Sequence, residues 1–182
     1  MVKVKKSVSD VLKAKGGIRL DLGCGENKQK GFVGIDLRKL PEVDIVHDLE
    51  QFPYPLPNES CLVIVGSHLV EHIKPWLMLK FMDELWRIAN VGCQLVLAHP
   101  YGVNELFVQD PTHCNPCNAA TWQYFDPRYP LYQVYKTKPW KIEKGFPIWQ
   151  QSGCMEVFFT KVSEAEGKRM YEKERVYDTE EK

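Results

Sequence analysis

The run Leu20-Asp21-Leu22-Gly23-Cys24-Gly25 sets one acidic residue in an apolar stretch that ends in two closely spaced glycines. Glycine lets a chain turn tightly and approach a ligand with no Cβ in the way, so a strand ending like this can present its backbone to a bound molecule. Two more acids stand at comparable places, Asp36 closing Phe32-Val-Gly-Ile-Asp and Asp48 following Asp44-Ile-Val-His47. A strand-end carboxylate can accept hydrogen bonds from both hydroxyls of a ribose, and open α/β sheets bind ligands outside the carboxyl ends of their strands. Each acid is by itself also what a turn or a cap uses. Three of them in successive strands, beside a glycine turn, describe a nucleoside pocket.

The elements that must carry these residues are legible in the pattern. Ile18 to Leu22, Phe32 to Asp36 and Asp44 to His47 read as short strands, and the prolines of Phe52-Pro-Tyr-Pro-Leu-Pro57 exclude helix and central strand from the loop that follows. Cys61 to Gly66 is a near-continuous apolar run, as in a parallel strand covered on both faces. From Pro75 to Asn90, Met78, Phe81, Met82, Leu85, Ile88 and Ala89 recur at helical spacing, with Lys80, Asp83, Glu84 and Arg87 on the other face. Val91-Gly92 ends this helix and Gln94 to Ala98 returns as a strand, giving a right-handed strand-helix-strand unit. A short helix is expected over 118–125 and strands near 140–146 and 155–162. Val8, Val11 and Leu12 outline a leading helix before Gly16-Gly17.

Composition bounds what the chain can be. Its 182 residues, 44% apolar, fit one domain over 1–162, with a charged tail over 163–182. Lys plus Arg equals Asp plus Glu at 24 each, so nucleic acid is not a favoured partner. No apolar run approaches a membrane span, and the basic N-terminus lacks the apolar core of a secretory signal, which points to the cytoplasm. Six scattered cysteines fit reduced thiols better than a disulfide framework.

The ordered set of segments from Ile18 to about Pro100 resembles the class I S-adenosylmethionine-dependent methyltransferases. Leu20-Asp-Leu-Gly-Cys-Gly25 is similar to their first motif, Gly34-Ile-Asp-Leu37 to the acidic second, and His47-Asp-Leu-Glu-Gln-Phe-Pro-Tyr-Pro-Leu-Pro57 to the adenine loop. Ser67-His-Leu-Val-Glu-His72, Glu84-Leu-Trp-Arg-Ile88 and Val91-Gly-Cys-Gln-Leu-Val-Leu97 match the segments that follow. The resemblance implies a Rossmann-like α/β fold: a mostly parallel sheet of about seven strands, helices on both faces, and the last strand antiparallel. It also implies S-adenosylmethionine as cofactor. Asp21, Gly23, Cys24 and Gly25 would hold the methionine part, Asp36 with Leu37 the ribose, Asp48 and Leu49 the adenine, and Ser67 and His68 the wall beside the sulfonium. Two departures stand out: Glu26-Asn27-Lys28 replaces the third glycine, and the path to Phe32 is too short for a crossover helix, so the carboxylate end of the cofactor is more open.

For the acceptor side, His72, His113 and Asp110 are the candidate catalytic residues, the last two within Asp110-Pro-Thr-His113. A histidine titrating near neutrality suits proton removal from a hydroxyl or amine, although methyl transfer can also rest on alignment alone. Tyr101 and Trp122 are the candidate acceptor contacts. Cys114 and Cys117 have the spacing at which one ion collects two thiolates, but no second pair completes a zinc site, so no metal is assigned. The acceptor expected is a small molecule or glycan; a homodimer or a partner protein remains open, including a degenerate subunit acting with a partner. A nicotinamide-dependent oxidoreductase shares the strand-turn-acid logic but lacks its Gly-x-Gly-x-x-Gly.

Overall fold

The computed structural model describes residues 17–180, so the expected leading helix within 1–16 lies outside the described residues. Eight strands form one sheet: β1 (Ile18–Leu22), β2 (Val33–Asp36), β3 (Ile45–Val46), β4 (Cys61–Ser67), β5 (Ala89–Pro100), β6 (Trp140–Ile142), β7 (Ile148–Trp149) and β8 (Cys154–Lys161). Their order is β3-β2-β1-β4-β5-β8-β6, with β7 also paired to β8. The strands from β3 to β5 are parallel to one another, and β8 runs antiparallel to β5. The expected sheet with a reversed last strand is therefore present, and the two-residue β7 raises the strand number to eight.

Helix α1 (Met78–Ile88) starts after a 3-10 turn over Pro75–Leu77 and ends at Ala89, whose extended backbone leads directly into β5. The expected helix was longer at both ends. Its apolar stripe is buried as expected, but Glu84 is buried too, at 7%, where the spacing assigned it to the wet face. Strand β5 begins five residues before the expected Gln94, because Ala89 already pairs with Cys61 and Gly92, at φ +83°, absorbs the irregularity between the two paired stretches. Four shorter or terminal helices follow: α2 (Glu105–Val108), α3 (Ala119–Gln123), α4 (Tyr132–Tyr135) and α5 (Glu164–Glu180). The last occupies the charged tail.

The two faces of the sheet are unequally covered. Right-handed crossovers that step in opposite directions along a sheet lie on opposite faces. The step from β4 to β5 carries α1, whereas the opposite steps, β1 to β2 and β2 to β3, use the helix-free stretches 23–32 and 37–44. On the α1 side Leu20, Leu22, Ile64, Leu95, Leu97, Val157 and Phe159 are fully buried. On the other side Arg19 and Gln94 are exposed, and Val63, Val65, Val96 and Phe158 are half-buried. Among the described residues no helix lies in the short connections on the second face of β4, so that face is less covered than the first. Each fully buried side chain of this size contributes roughly 1.5–3 kcal/mol, so the α1 face dominates stability.

Candidate active site

At the carboxyl end of β1 the chain turns through Gly23 and Gly25, at φ +61° and +54°, a left-handed backbone that side chains disfavour. The turn is tied to β2: the amides of Gly23 and Cys24 donate to Ile35 O at 2.8 and 3.3 Å, and that of Gly25 donates to Asp36 Oδ2 at 2.9 Å. Asp36 Oδ1 accepts from the Arg38 amide at 2.8 Å and from Arg38 Nε at 3.2 Å. Burial pushes the Asp36 carboxyl up, but the hydrogen bonds from Arg38 and Gly25 outweigh it and hold the group below its ordinary range. Asp21 Oδ2 accepts from the Gln29 amide at 2.7 Å, and burial raises this carboxyl.

Asp21 and the Gly23 to Gly25 turn border a cleft of about 550 Å³, as do Ser67 and His68; Asp36, bonded to the Gly25 amide, is not among the residues that line it. Arg38 also lines it. Its proximity to Asp36 carried no sequence signal beyond their spacing of two. Leu37 is exposed, at 65%, while Asp48 Oδ1 accepts from the Glu50 amide at 2.9 Å and Leu49 is buried. None of these three lines the cleft as the chain stands.

The loop around Asp48 is held from α1. Glu84 Oε1 accepts from the Tyr54 amide at 2.6 Å, and the Tyr54 hydroxyl donates to Leu49 O at 2.8 Å. Arg87 binds Glu84 through Nη2 at 2.6 Å and donates to Leu56 O through Nη1 at 3.0 Å. The burial of Glu84 thus has a structural reason: it anchors a proline-rich loop that has few backbone partners of its own.

On the other side of the cleft His68 follows β4 at φ +52°, a conformation that is rare for non-glycine residues and costs on the order of 1–3 kcal/mol. Its amide still donates to Ala98 O at 2.8 Å, so the neighbouring strands fix the strained residue. The 3-10 turn Val70–His72 follows, and the segment Asp110 to Asn115 is clamped on it: the Cys114 and Asn115 amides donate to Glu71 O at 2.8 and 3.1 Å. The clamp brings His72 and His113 together, with ring centroids 4.7 Å apart. His113 Nε2 stands 3.8 Å from Asp110 Oδ2 and 4.0 Å from Glu71 Oε1. Burial, reinforced by the His113 charge, lowers His72, and the Thr112 hydroxyl and amide lower Asp110 by hydrogen bonding.

Glu71 was not a candidate from the sequence, yet it is the residue on which this cluster converges. It is fully buried, and neither carboxylate oxygen has a hydrogen-bond partner. His68 Nδ1 approaches Oε1 to 3.2 Å, but outside hydrogen-bond geometry. Burial pushes its carboxyl up to about 7 against the opposing pull of its own backbone amide, and the negative charge of Asp110 adds to the rise. The available signal was a charged residue between Val70 and Ile73, both of which are buried.

Tyr101 and Trp149 meet edge to face with centroids 4.4 Å apart, and Trp149 is half exposed, so this pair presents an aromatic surface. Trp122 is not at the surface. It is fully buried, donates from Nε1 to His99 Nε2 at 3.2 Å and packs edge-on against Phe159, which leaves no face for an acceptor. Cys114 is exposed and Cys117 buried, burial pushing the latter up to about 12; all six cysteines are free thiols.

No known protein family and no curated protein matches the sequence. Solved structures do match the fold. A SAM-dependent methyltransferase from Archaeoglobus fulgidus aligns with a TM-score of 0.59 at 18% identity, over 81% of this chain and 87% of that one. One from Mesorhizobium loti aligns with a TM-score of 0.54 at 13% identity, over 80% and 92%. A chain from the Haloferax volcanii complex containing the Trm112 methyltransferase activator aligns with a TM-score of 0.55 at 11% identity, over 86% and 89%. The fold is that of the SAM-dependent methyltransferases. Among the described residues no helix is long and apolar enough to cross a membrane.

Proposed function

We propose that this chain is an S-adenosylmethionine-dependent methyltransferase, with one catalytic domain over 1–162 and a charged tail over 163–182, acting in the cytoplasm on a small-molecule or glycan acceptor. The observation that carries the reading is the cleft of about 550 Å³ at the strand ends, bounded by Asp21, the Gly23 to Gly25 turn and Ser67-His68. In this reading the methionine end of the cofactor lies along the glycine turn, Asp36 with Leu37 serves the ribose, and Asp48 with Leu49 serves the adenine. The Asp36 carboxylate already accepts three hydrogen bonds, from the Gly25 amide and from the Arg38 amide and Nε, and of its roughly four lone-pair sites one is left, on Oδ2, to accept a ribose hydroxyl.

Methyl transfer is an in-line displacement. A lone pair of the acceptor attacks the methyl carbon, the carbon–sulfur bond breaks with its electrons remaining on sulfur, and S-adenosylhomocysteine leaves. Holding the acceptor aligned with that bond supplies much of the rate. The acceptor proton passes to the cluster of Asp110, His72 and His113. His113 Nδ1 lies 2.9 Å from Phe107 O, a bond that fixes the Nδ1–H tautomer and leaves Nε2 as the proton-accepting atom. Tyr101 with Trp149 offers a surface for a sugar ring or a planar group.

One observation favours a second reading. The glycine-turn amides of Gly23, Cys24 and Gly25 are committed within the protein, as they would be in a degenerate subunit that acts with a partner. Calorimetric titration with S-adenosylmethionine and S-adenosylhomocysteine, with NAD as control, tests both. Micromolar binding of the sulfur ligands that fails in Asp36→Ala is the expected result. No binding by the unmodified chain refutes the stand-alone enzyme, and binding without turnover in a stable complex with a second protein favours the subunit.

A further inference from the structure

We infer that Glu71, His72 and His113 form a binding site for a divalent transition-metal ion, next to His68 of the cleft wall, where an oxygen of the methyl acceptor completes the coordination. The metal site stands on its own geometry; the role of the acceptor oxygen rests on the methyltransferase reading.

Four observations converge. Each of the three residues offers one ligand atom, and these atoms all lie within 4.8 Å of one another. Two ligands of a tetrahedral zinc ion, each about 2.0–2.1 Å from the metal, are ~3.4 Å apart, so the cluster need contract only modestly around an ion. Second, Glu71 is completely buried with both oxygens unpartnered. A buried carboxylate left this way is costly, and a single added proton would remove its charge without giving both oxygens a partner. A cation supplies the opposite charge and the missing coordination together.

Third, both imidazoles are oriented as metal ligands usually are, with one nitrogen held by an outer partner. His113 Nδ1 faces Phe107 O at 2.9 Å, which directs Nε2, with its lone pair, toward Glu71 and Asp110. The Thr112 hydroxyl donates to Asp110 Oδ1 at 2.7 Å and so can only accept from His72 Nδ1, at 3.2 Å, which leaves the lone pair of His72 on Nε2. Fourth, the bonds from Cys114 and Asn115 to Glu71 O lock the two ligand-bearing segments together, so the set is pre-organised. Two imidazoles and one carboxylate suit zinc, iron, cobalt or nickel rather than calcium or magnesium.

His68 connects this site to the cleft: it lines the cleft wall and lies 3.2 Å from Glu71 Oε1. An ion held here would draw an acceptor hydroxyl toward the sulfonium and make its proton easier to lose. His72 and His113 then act as ligands rather than as bases, and the preferred acceptor is one with an ionisable oxygen.

The test is titration of the chelator-treated full chain with Co²⁺, followed by visible absorption, and with Zn²⁺ by calorimetry. S-adenosylhomocysteine binding is measured on the same samples. One equivalent should bind at micromolar or tighter affinity, at least about tenfold more weakly in Glu71→Gln and in His113→Ala, and unchanged in Cys114→Ser. Retained S-adenosylhomocysteine binding in the two weakened variants shows that they are folded. Absence of saturable binding, or binding that only Cys114→Ser abolishes, overturns the site. Metal binding without any binding of S-adenosylhomocysteine refutes the methyltransferase reading and leaves the metal site standing.

Discussion

On the β1–β2 side of the cleft the carboxylates have backbone partners: Asp21 takes the Gln29 amide, Asp36 those of Gly25 and Arg38, and Asp48 that of Glu50. On the β4 side Glu71 is buried more deeply than any of them, and its carboxylate oxygens meet no hydrogen-bond donor of another residue. One side uses acids at or just after the ends of parallel strands to shape its own loops, and the other holds an acid without a partner in the 3-10 turn that follows β4. A side whose polar groups are satisfied is a rigid receptor; a side with an orphan carboxylate between two histidines is unfinished without a ligand.

If that contrast holds, removing a satisfied carboxylate must do the most damage. Asp36→Ala leaves the amides of Gly25 and Arg38 without acceptors near a buried position, and should cost about 2–4 kcal/mol in chemical denaturation as well as cofactor binding. The sign with pH follows from its lowered carboxyl. The contribution of Asp36 is complete above the ordinary carboxylate range and is lost as pH falls through the lower folded-state value. The wild type should therefore lose stability on acidification more steeply than Asp36→Asn. Equal acid sensitivity in the two would show that Asp36 is not held as described.

A somewhat smaller loss is expected for Arg87→Ala. It deprives buried Glu84 of its ion pair and Leu56 O of a donor, and should cost about 2–3 kcal/mol. Tyr54→Phe, which removes only the bond to Leu49 O, should cost about 1 kcal/mol. Both should weaken binding of the adenosine part in calorimetry and leave metal binding unchanged. A loss of metal binding in either would mean that the two sides are not independent.

How much of this was legible depends on how local the signal was. The glycine turn and the acids at 21, 36 and 48 could be read because strand-end chemistry is written in consecutive residues. The apolar stripe of α1 could be read from its 3.6-residue period. Glu84 defeated that reading because the Tyr54 amide, which takes it out of water, reaches it only when the proline-rich loop folds back on the helix, while Arg87 one turn on is a local partner that a wet face would also show. Trp122 looked available because it stands near Asp110 to His113, but packing against Phe159 and His99 takes it into the core. Glu71 carries no comparable signal, since nothing in the pair Glu71-His72 announces that a distant segment will seal one of them from water. Among the described residues the thinner cover of the second face follows from the shortness of two connections, the first of which is legible in the path to Phe32, and from the direction in which they step, which only the strand order reveals.

The smallest expected effect is the most discriminating, because its sign is opposite. Replacing a hydrogen-bonded buried carboxylate with its amide normally destabilises, as expected on the β1–β2 side. In metal-free protein Glu71→Gln should instead be neutral or stabilising by about 1 kcal/mol, since neither carboxylate oxygen has a hydrogen-bond partner to lose and the amide carries no charge to bury. For a chain of this size that is roughly 2–4 °C in Tm, measurable by calorimetry in the presence of a chelator. Saturating Zn²⁺ should then raise the Tm of the wild type above that of the variant, because an ion that binds only the folded state adds its binding energy to stability. A Glu71→Gln protein that melts lower than the wild type under chelation would mean that Glu71 already has a partner, and the difference between the two sides of the cleft would disappear.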